Sequence, residues 1–304
     1  MSFTELARTF ANNLLPIILI SGGGYLLGKY LSVDPRTVGR LVFYFFSPLL
    51  VFDLLTHSDL APAEILFTAG AAAAIILGVA LAAYLGGLAL RLDRRALVSV
   101  VIAAMFANNG NYGLPLISFA FGQDPLARAS VYFVTSVILY NTVGVLIASL
   151  GHLDLKAAGR GLLRVPTIYA VLIAFLVAGF DLAVPLPLDR SVSLVASGTI
   201  PLMLILLGLE LQRVQSTRDL RALSLASITR MAVGPLIALA VLALGGRTPA
   251  SDPAVMVEAA MPSAVANTVL ASEYNLDAGI VTTTIFVTTL ISPFTLTLLI
   301  VLLK

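Results

Sequence analysis

Asn108, Asn109 and Asn111 stand in the stretch FANNGNYGLPL (106–116), three of the eight asparagines of this 304-residue chain within four positions. Side-chain amides are neutral donors and acceptors. Grouped this way, they can hold a charged solute without needing a counter-charge when the site is empty. Tyr112 sits among them, and Gly113 and Pro115 follow. Glycine loosens the backbone, and proline removes an N–H and disfavours helical geometry at Leu114. A second stretch, EAAMPSAVANTVLASEYN (258–275), offers Glu258, Pro262, Ser263, Asn267 and Thr268. These residue types suit reversible binding of a solute or ion.

The surroundings of both stretches are apolar. Charged residues make up 11% of the chain, against about 25% in a soluble domain. Hydrophobic residues reach 59% and the mean hydropathy is +1.01. Ten apolar segments can be marked, at about 12–31, 37–56, 62–90, 96–121, 126–150, 165–182, 188–210, 221–245, 253–274 and 278–303. A span of about 20 apolar residues crosses a bilayer, so the expected fold class is an all-α polytopic membrane protein with ten transmembrane helices. Cysteine is absent, which excludes disulfides and thiolate metal sites. The two histidines, His57 and His152, fall at predicted membrane edges and form no ligand cluster. Glu5 precedes the first apolar run, which lacks a basic leader and a small-residue cleavage site and so reads as a retained span. Neither a metal nor another cofactor is implied, and the hydrophobic bulk argues against nucleic acid as a partner.

Basic residues set the expected orientation. The loops after segments 1, 3, 5 and 7 carry Lys29, Arg36, Arg40, Arg91, Arg94, Arg95, Lys156, Arg160, Arg164, Arg213, Arg218 and Arg221. Arg230 lies a little inside segment 8 on the same side, where its long stem can snorkel to the edge. The opposite side holds only Arg8, Arg128, Arg190, Arg247 and Lys304. The first set faces the cytoplasm of a cell bounded by its cytoplasmic (inner) membrane, and both termini face out.

An internal repeat follows. FVTSVILYNTVGVLI (133–147) aligns without gaps to FVTTLISPFTLTLLI (286–300) at an offset of 153, and the same offset brings Pro48 onto Pro201. An offset of 156 brings Asn111 onto Asn267. Five segments per copy (1–152 and 153–304) is an odd number, so the second copy must be inverted. Inverted repeats with interrupted helices are the plan of many secondary transporters, with the site at the breaks.

The asparagine cluster lies about 13 residues from Arg94 and Arg95, roughly 20 Å at 1.5 Å per residue, and Pro262 lies at a similar depth from the other side. Half-helix N-termini meeting there can face an anion. An isolated membrane proline is commonly a kink, the reading given to Pro16, Pro48, Pro201, Pro235 and Pro293. Glu258 is an acid inside a span and a functional candidate by default. It can take up a proton or help hold a cation such as sodium, or it can belong to an outer vestibule that includes Asp252. Asp53, Glu64, Glu210 and Glu273 stand nearer span ends, where solvated roles are expected. SGGGYLLGKY (21–30) reads as a close helix-packing face. Tyr140 and Asn141 can line the cavity beside segment 4, while Thr135, Ser136, Thr288 and Thr289 can simply hydrogen-bond between helices.

NNGNYGLPL together with MPSAVAN resembles the auxin efflux carrier family, plant PIN-formed carriers and their bacterial relatives, over essentially the full length. The resemblance implies the fold shared with bile-acid sodium symporters, in which helices 4 and 9 are broken and cross. It implies a scaffold (about 12–56 and 165–210), often dimerising to a homodimer, and a moving transport core (about 62–150 and 221–303) that works as an elevator. It further implies Pro115 and Pro262 as the crossover prolines, with Asn108, Asn109, Asn111 and Ser263 around the substrate. EAAMPS is similar to the acidic segment that helps hold sodium in the bile-acid branch. The long central hydrophilic loop of plant carriers is missing here, since 152–164 is short, so the likeness to plant carriers does not extend to loop-based phosphoregulation and does not by itself carry auxin as the substrate.

The expected activity is secondary transport of a small organic anion, a mono- or dicarboxylate or an auxin-like acid, with protons or sodium as candidate coupling ions and a passive anion channel or uniporter as the alternative. A membrane-embedded enzyme would need a nucleophile, metal cluster or paired intramembrane acid, and the sequence offers no cysteine, clustered histidine or paired aspartates.

Overall fold

The computed structural model describes residues 2–149, 163–180, 182–212 and 216–304. His152, Lys156, Arg160, Arg213 and the expected 152/153 junction lie outside the described residues. Helix accounts for 82% of the described residues, which contain no strand. In chain order the helices are α1 (Phe3–Leu31), α2 (Pro35–Thr56), α3 (Pro62–Ala89), α4 (Arg94–Met105), α5 (Leu114–Phe121), α6 (Gln123–Ala148), α7 (Pro166–Gly179), α8 (Leu186–Glu210), α9 (Leu220–Leu244), α10 (Pro253–Ala259), α11 (Asn267–Glu273) and α12 (Ala278–Leu303). Seven of these, α1, α2, α3, α6, α8, α9 and α12, are long and apolar enough to cross a membrane, and α7 is a shorter apolar helix. Segments 96–121 and 253–274 are each split in two, into α4 with α5 and α10 with α11.

Local chemistry sets the boundaries. Asp34, Asp93, Asp219, Asp252 and Asp277 cap α2, α4, α9, α10 and α12, each carboxylate accepting from first-turn N–H groups. α1 begins well before the expected residue 12, because Ser2 and Glu5 form a capping box that starts a helix at Phe3. Among the described residues five π-helical turns lie within or before the helices. Four of them (Phe10–Leu14, Val42–Phe46, Asn109–Gly113 and Thr229–Val233) end two residues before Pro16, Pro48, Pro115 and Pro235. A proline clashes with the carbonyl four residues back and gives it no N–H. Those carbonyls belong to Asn12, Tyr44, Asn111 and Met231, the middle residue of each π turn. Pro201 and Pro293 sit inside regular helix.

The helices pack in two sets. α8 lies against α1 and α2, and α7 against α2. α3 contacts α4, α6 and α9, while α12 contacts α4 and α9. The sets touch where α8 meets the π turn Asn109–Gly113 and α5, where α2 meets α6, and where α1 meets α5 and α12. Large apolar side chains such as Leu66, Leu194, Leu244 and Phe294 project outward, as expected of a chain solvated by lipid.

The α1–α8 contact needs glycine. A Cβ on Gly24 would strike the Ile205 carbonyl, and one on Gly208 the Ser21 carbonyl, while Gly22 and Gly23 face open space. Gln212 closes the contact by donating from Nε2 to the Tyr25 carbonyl at 2.7 Å. Close packing is thus the role of Gly24 in the SGGG run. Gly24→Ala and Gly208→Ala each cost about 1–3 kcal/mol by overpacking and lower the thermal midpoint in detergent, whereas Gly23→Ala leaves it unchanged. Equal midpoints for the Gly23 and Gly24 variants would contradict this packing.

Candidate functional site

The two breaks are built from each other. α4 ends at Met105 and α10 at Ala259, and the segments that follow run antiparallel, with Ala107 bridged to Ser263. The Asn108 N–H donates to the Pro262 carbonyl at 2.8 Å, and the Ala264 N–H to the Phe106 carbonyl at 2.9 Å. Backbone groups freed from the helices therefore find partners in the opposing break, as a site away from water requires. Side chains complete the junction. Ser263 Oγ donates to the Ala103 carbonyl at 2.6 Å, and the Ser263 N–H donates to Thr288 Oγ1 at 3.1 Å. Asn267 Nδ2 donates to the Phe106 carbonyl and to Ser263 Oγ, both at 3.1 Å. Tyr140 also reaches the junction: its hydroxyl donates to the Ala266 carbonyl at 2.6 Å, and its ring meets Phe106 edge-on at 5.1 Å.

Glu258 is fully buried one turn before Pro262. Asn109 Nδ2 donates to its Oε2 at 2.5 Å and to its backbone carbonyl at 3.1 Å, joining residues 149 positions apart. Gly113 packs against the same carboxylate so closely that a Cβ there would overlap Oε2.

Arg230 overturns one expectation. It does not snorkel to an edge: it is 1% exposed and lies within the junction. Its Nη1 donates to the Ala104 carbonyl at 3.1 Å and to the Met105 carbonyl at 3.4 Å, and its Nη2 donates to the Ala259 carbonyl. These carbonyls belong to the last turns of α4 and α10, which lack intrahelical partners and carry the negative dipole ends. One guanidinium therefore caps both half-helices. The π turn before Pro235 carries Arg230, and Gly234 leaves room for it, since a Cβ there would come 2.5 Å from Nη2. The signal in the sequence was a lone intramembrane arginine followed by Gly234 and Pro235.

The remaining candidates fall as follows. Asn108 is buried and its Nδ2 has no hydrogen-bond partner. Asn111 is half-buried on the π turn. Tyr112 is buried, its hydroxyl 3.3 Å from Ser292 Oγ. Pro115 and Pro262 are buried at the start of α5 and in the paired segment. Asn141 stands apart: its Nδ2 donates to the Val137 carbonyl of its own helix, and its neighbour Tyr140 makes the junction contact. Among buried atoms, Asn108 Nδ2, Asn109 Oδ1, Arg230 Nε, Glu258 Oε1 and Asn267 Oδ1 are without hydrogen-bond partners. Such orphans are costly in a dry interior; others, such as Thr68 Oγ1 and Thr167 Oγ1, lie elsewhere, and the grouping of five on residues of one junction makes it the candidate binding site. Glu64 pairs with Arg128 at 2.8 Å, and Asp53 accepts from Ser193 Oγ at 2.6 Å, so both serve structural contacts between helices. Among the described residues no group of three or more His, Asp or Glu could hold a metal ion.

A family of proteins described as membrane transport proteins matches this chain over residues 9–158 and 152–300. The chain belongs to that family. The resemblance to auxin efflux carriers carried by NNGNYGLPL and MPSAVAN is thereby borne out. A transporter of Methanothermobacter thermautotrophicus, of uncharacterized activity, is 27% identical over 98% of both chains. Another from Methanocaldococcus jannaschii, described in the same terms, is 25% identical over 91% of this chain and 92% of its own. The protein is a membrane transport protein with several membrane-spanning helices.

Proposed function

We propose that this membrane transport protein is a secondary transporter that moves a small organic anion, a mono- or dicarboxylate, across the cytoplasmic membrane by alternating access. The observation that carries the reading is the junction of the two broken helices, with its buried and unpartnered amide, guanidinium and carboxylate atoms. Asn108 Nδ2 and Arg230 Nε are donors for a carboxylate, and the first turn beginning at Asn109 adds the positive end of a helix dipole. The acceptors Asn109 Oδ1 and Asn267 Oδ1 suit a ligand hydroxyl, and Glu258 Oε1 is placed to take up the charge of a coupling ion, a proton or sodium. Asn111 and Tyr112 border the site from the π turn, and Pro115, Pro262 and Ser263 hold its shape; Asn141 follows Tyr140, whose hydroxyl reaches the junction.

The chain in this reading crosses the membrane ten times as two inverted five-helix halves, with both termini outside the cytoplasm. α1, α2, α7 and α8 form a scaffold through which two copies pair, and the other helices form a core that slides past it. The contact of α8 with the π turn Asn109–Gly113 supports this division, because in this reading a site between a fixed and a moving part is expected at such a contact. A passive channel is the alternative. A thermal-shift screen of organic acids on purified protein identifies the ligand, since binding to the native state raises its stability. Counterflow in proteoliposomes then separates the mechanisms: substrate on the far side accelerates uptake by a carrier, and no acceleration would leave the channel.

A further inference from the structure

Arg230 has a consequence for which ion can drive the cycle. Interrupted transporter helices use their half-helix C-termini and unwound carbonyls to coordinate a coupling sodium ion or proton. Here the corresponding carbonyls are those of Ala104, Met105 and Ala259, and the Arg230 guanidinium takes all three. A guanidinium carries a fixed positive charge and presents several donors in one plane, so it does for these oxygens what a small cation does with its coordination shell. We infer that Arg230 is a tethered cation that stands in the place of a free coupling cation, so that transport proceeds without bound sodium. The inference rests on the transport reading above and deepens it.

Three further observations support the assignment. Arg230 is 1% exposed, so the junction already encloses a guanidinium cation beside the three carbonyl oxygens it takes. A second cation would sit beside the guanidinium in a low-dielectric interior, where like charges repel strongly. The placement is also built: a π turn swings Arg230 inward, and the bare Cα of Gly234 admits Nη2, since a Cβ there would stand 2.9 Å from the Ala259 carbonyl. The sodium that EAAMPS implies by likeness to bile-acid symporters therefore does not fit these carbonyls. Glu258 Oε1, which no donor engages, remains for a proton or the ligand.

The test begins with counterflow by the wild-type protein in sodium, then with sodium replaced by choline. Equal rates are expected. A severalfold fall in choline would overturn the inference while leaving the transport reading intact. No counterflow in either medium would overturn the transport reading, and the second arm then still reports on Arg230. In that arm, Arg230→Ala removes the buried cation, and millimolar guanidinium is added back. The cavity left by the side chain binds it, so guanidinium raises the thermal midpoint of Arg230→Ala and not that of the wild type. Where transport is measurable, uptake by Arg230→Ala falls about tenfold or more, the scale of leaving buried carbonyls without their donor, and guanidinium restores most of it. A folded variant with neither a midpoint shift nor rescue would overturn the tethered-cation role. If Arg230→Ala does not fold, the choline arm alone decides.

Discussion

Asn109→Ala lowers uptake by the reconstituted transporter about 10- to 100-fold while the protein still elutes as a folded species in detergent. Asn109 donates to the buried Glu258 carboxyl, at 2.5 Å to Oε2, and it ties α10 to the π turn by a second bond to the Glu258 carbonyl. A hydrogen bond to a charged group contributes about 1.5–3 kcal/mol, and each 1.4 kcal/mol is about tenfold in an equilibrium. Alanine removes the donor and leaves the buried Glu258 carboxyl without that hydrogen bond. Initial uptake rates of the substrate found by thermal shift, with the detergent melting curve as control, read the two effects separately. Wild-type uptake in Asn109→Ala would remove the junction from the account of transport.

Gly113→Ala is expected to be as damaging by a different route. The added Cβ would overlap Glu258 Oε2 and lie 2.8 Å from both Cδ and Oε1. It sits on backbone and cannot turn aside, and the carboxylate it meets is fixed by Asn109. Either Glu258 swings out of that bond or α5 moves away from α10. Overpacking of this kind costs about 1–3 kcal/mol, and here the cost falls on the residues that shape the site. Uptake is expected to fall at least about tenfold, and the melting midpoint drops. Shortening the partner relieves the clash, so Gly113→Ala combined with Glu258→Ala regains stability relative to Gly113→Ala, and a double-mutant cycle returns a coupling of the size seen for residues in contact. Transport is not regained, because the acid is gone. Additive melting midpoints across the cycle would show that the two residues do not meet.

Much of this protein was legible before any tertiary contact was considered, and the reasons are local. Helix in hydrocarbon is so strongly favoured that interruptions need a cause, and Asn108, Asn109, Asn111, Gly113, Pro115 and Pro262 are residues that interrupt it. The aspartate caps and the proline-driven π turns follow from the same short-range rules. Family membership was legible for a related reason, since the motif that breaks the helix is also the motif that marks the family. Local rules failed at particular side chains. α1 began earlier than hydropathy suggested, because capping by Ser2 and Glu5 is independent of apolarity. Tyr140 and Asn141 were equivalent by position, and only the packing of α6 turned the tyrosine toward Ala266 and left the asparagine on its own helix.

Arg230 shows the limit best. Its sequence position allowed the long side chain either to snorkel to an edge or to turn inward, and the choice depended on which face of α9 meets the junction. The inward turn is favoured because α4 and α10 bring three carbonyl oxygens to one point, a negative site that exists only once helices distant in sequence have packed. The pairing of Asn109 with Glu258 is of the same kind. The sequence by itself determined where the helices must break and which polar groups stand at the breaks, because sterics and hydrogen bonding act within a few residues. Only the tertiary structure decided which of those groups meet, because burial and electrostatic partners are properties of the packed whole.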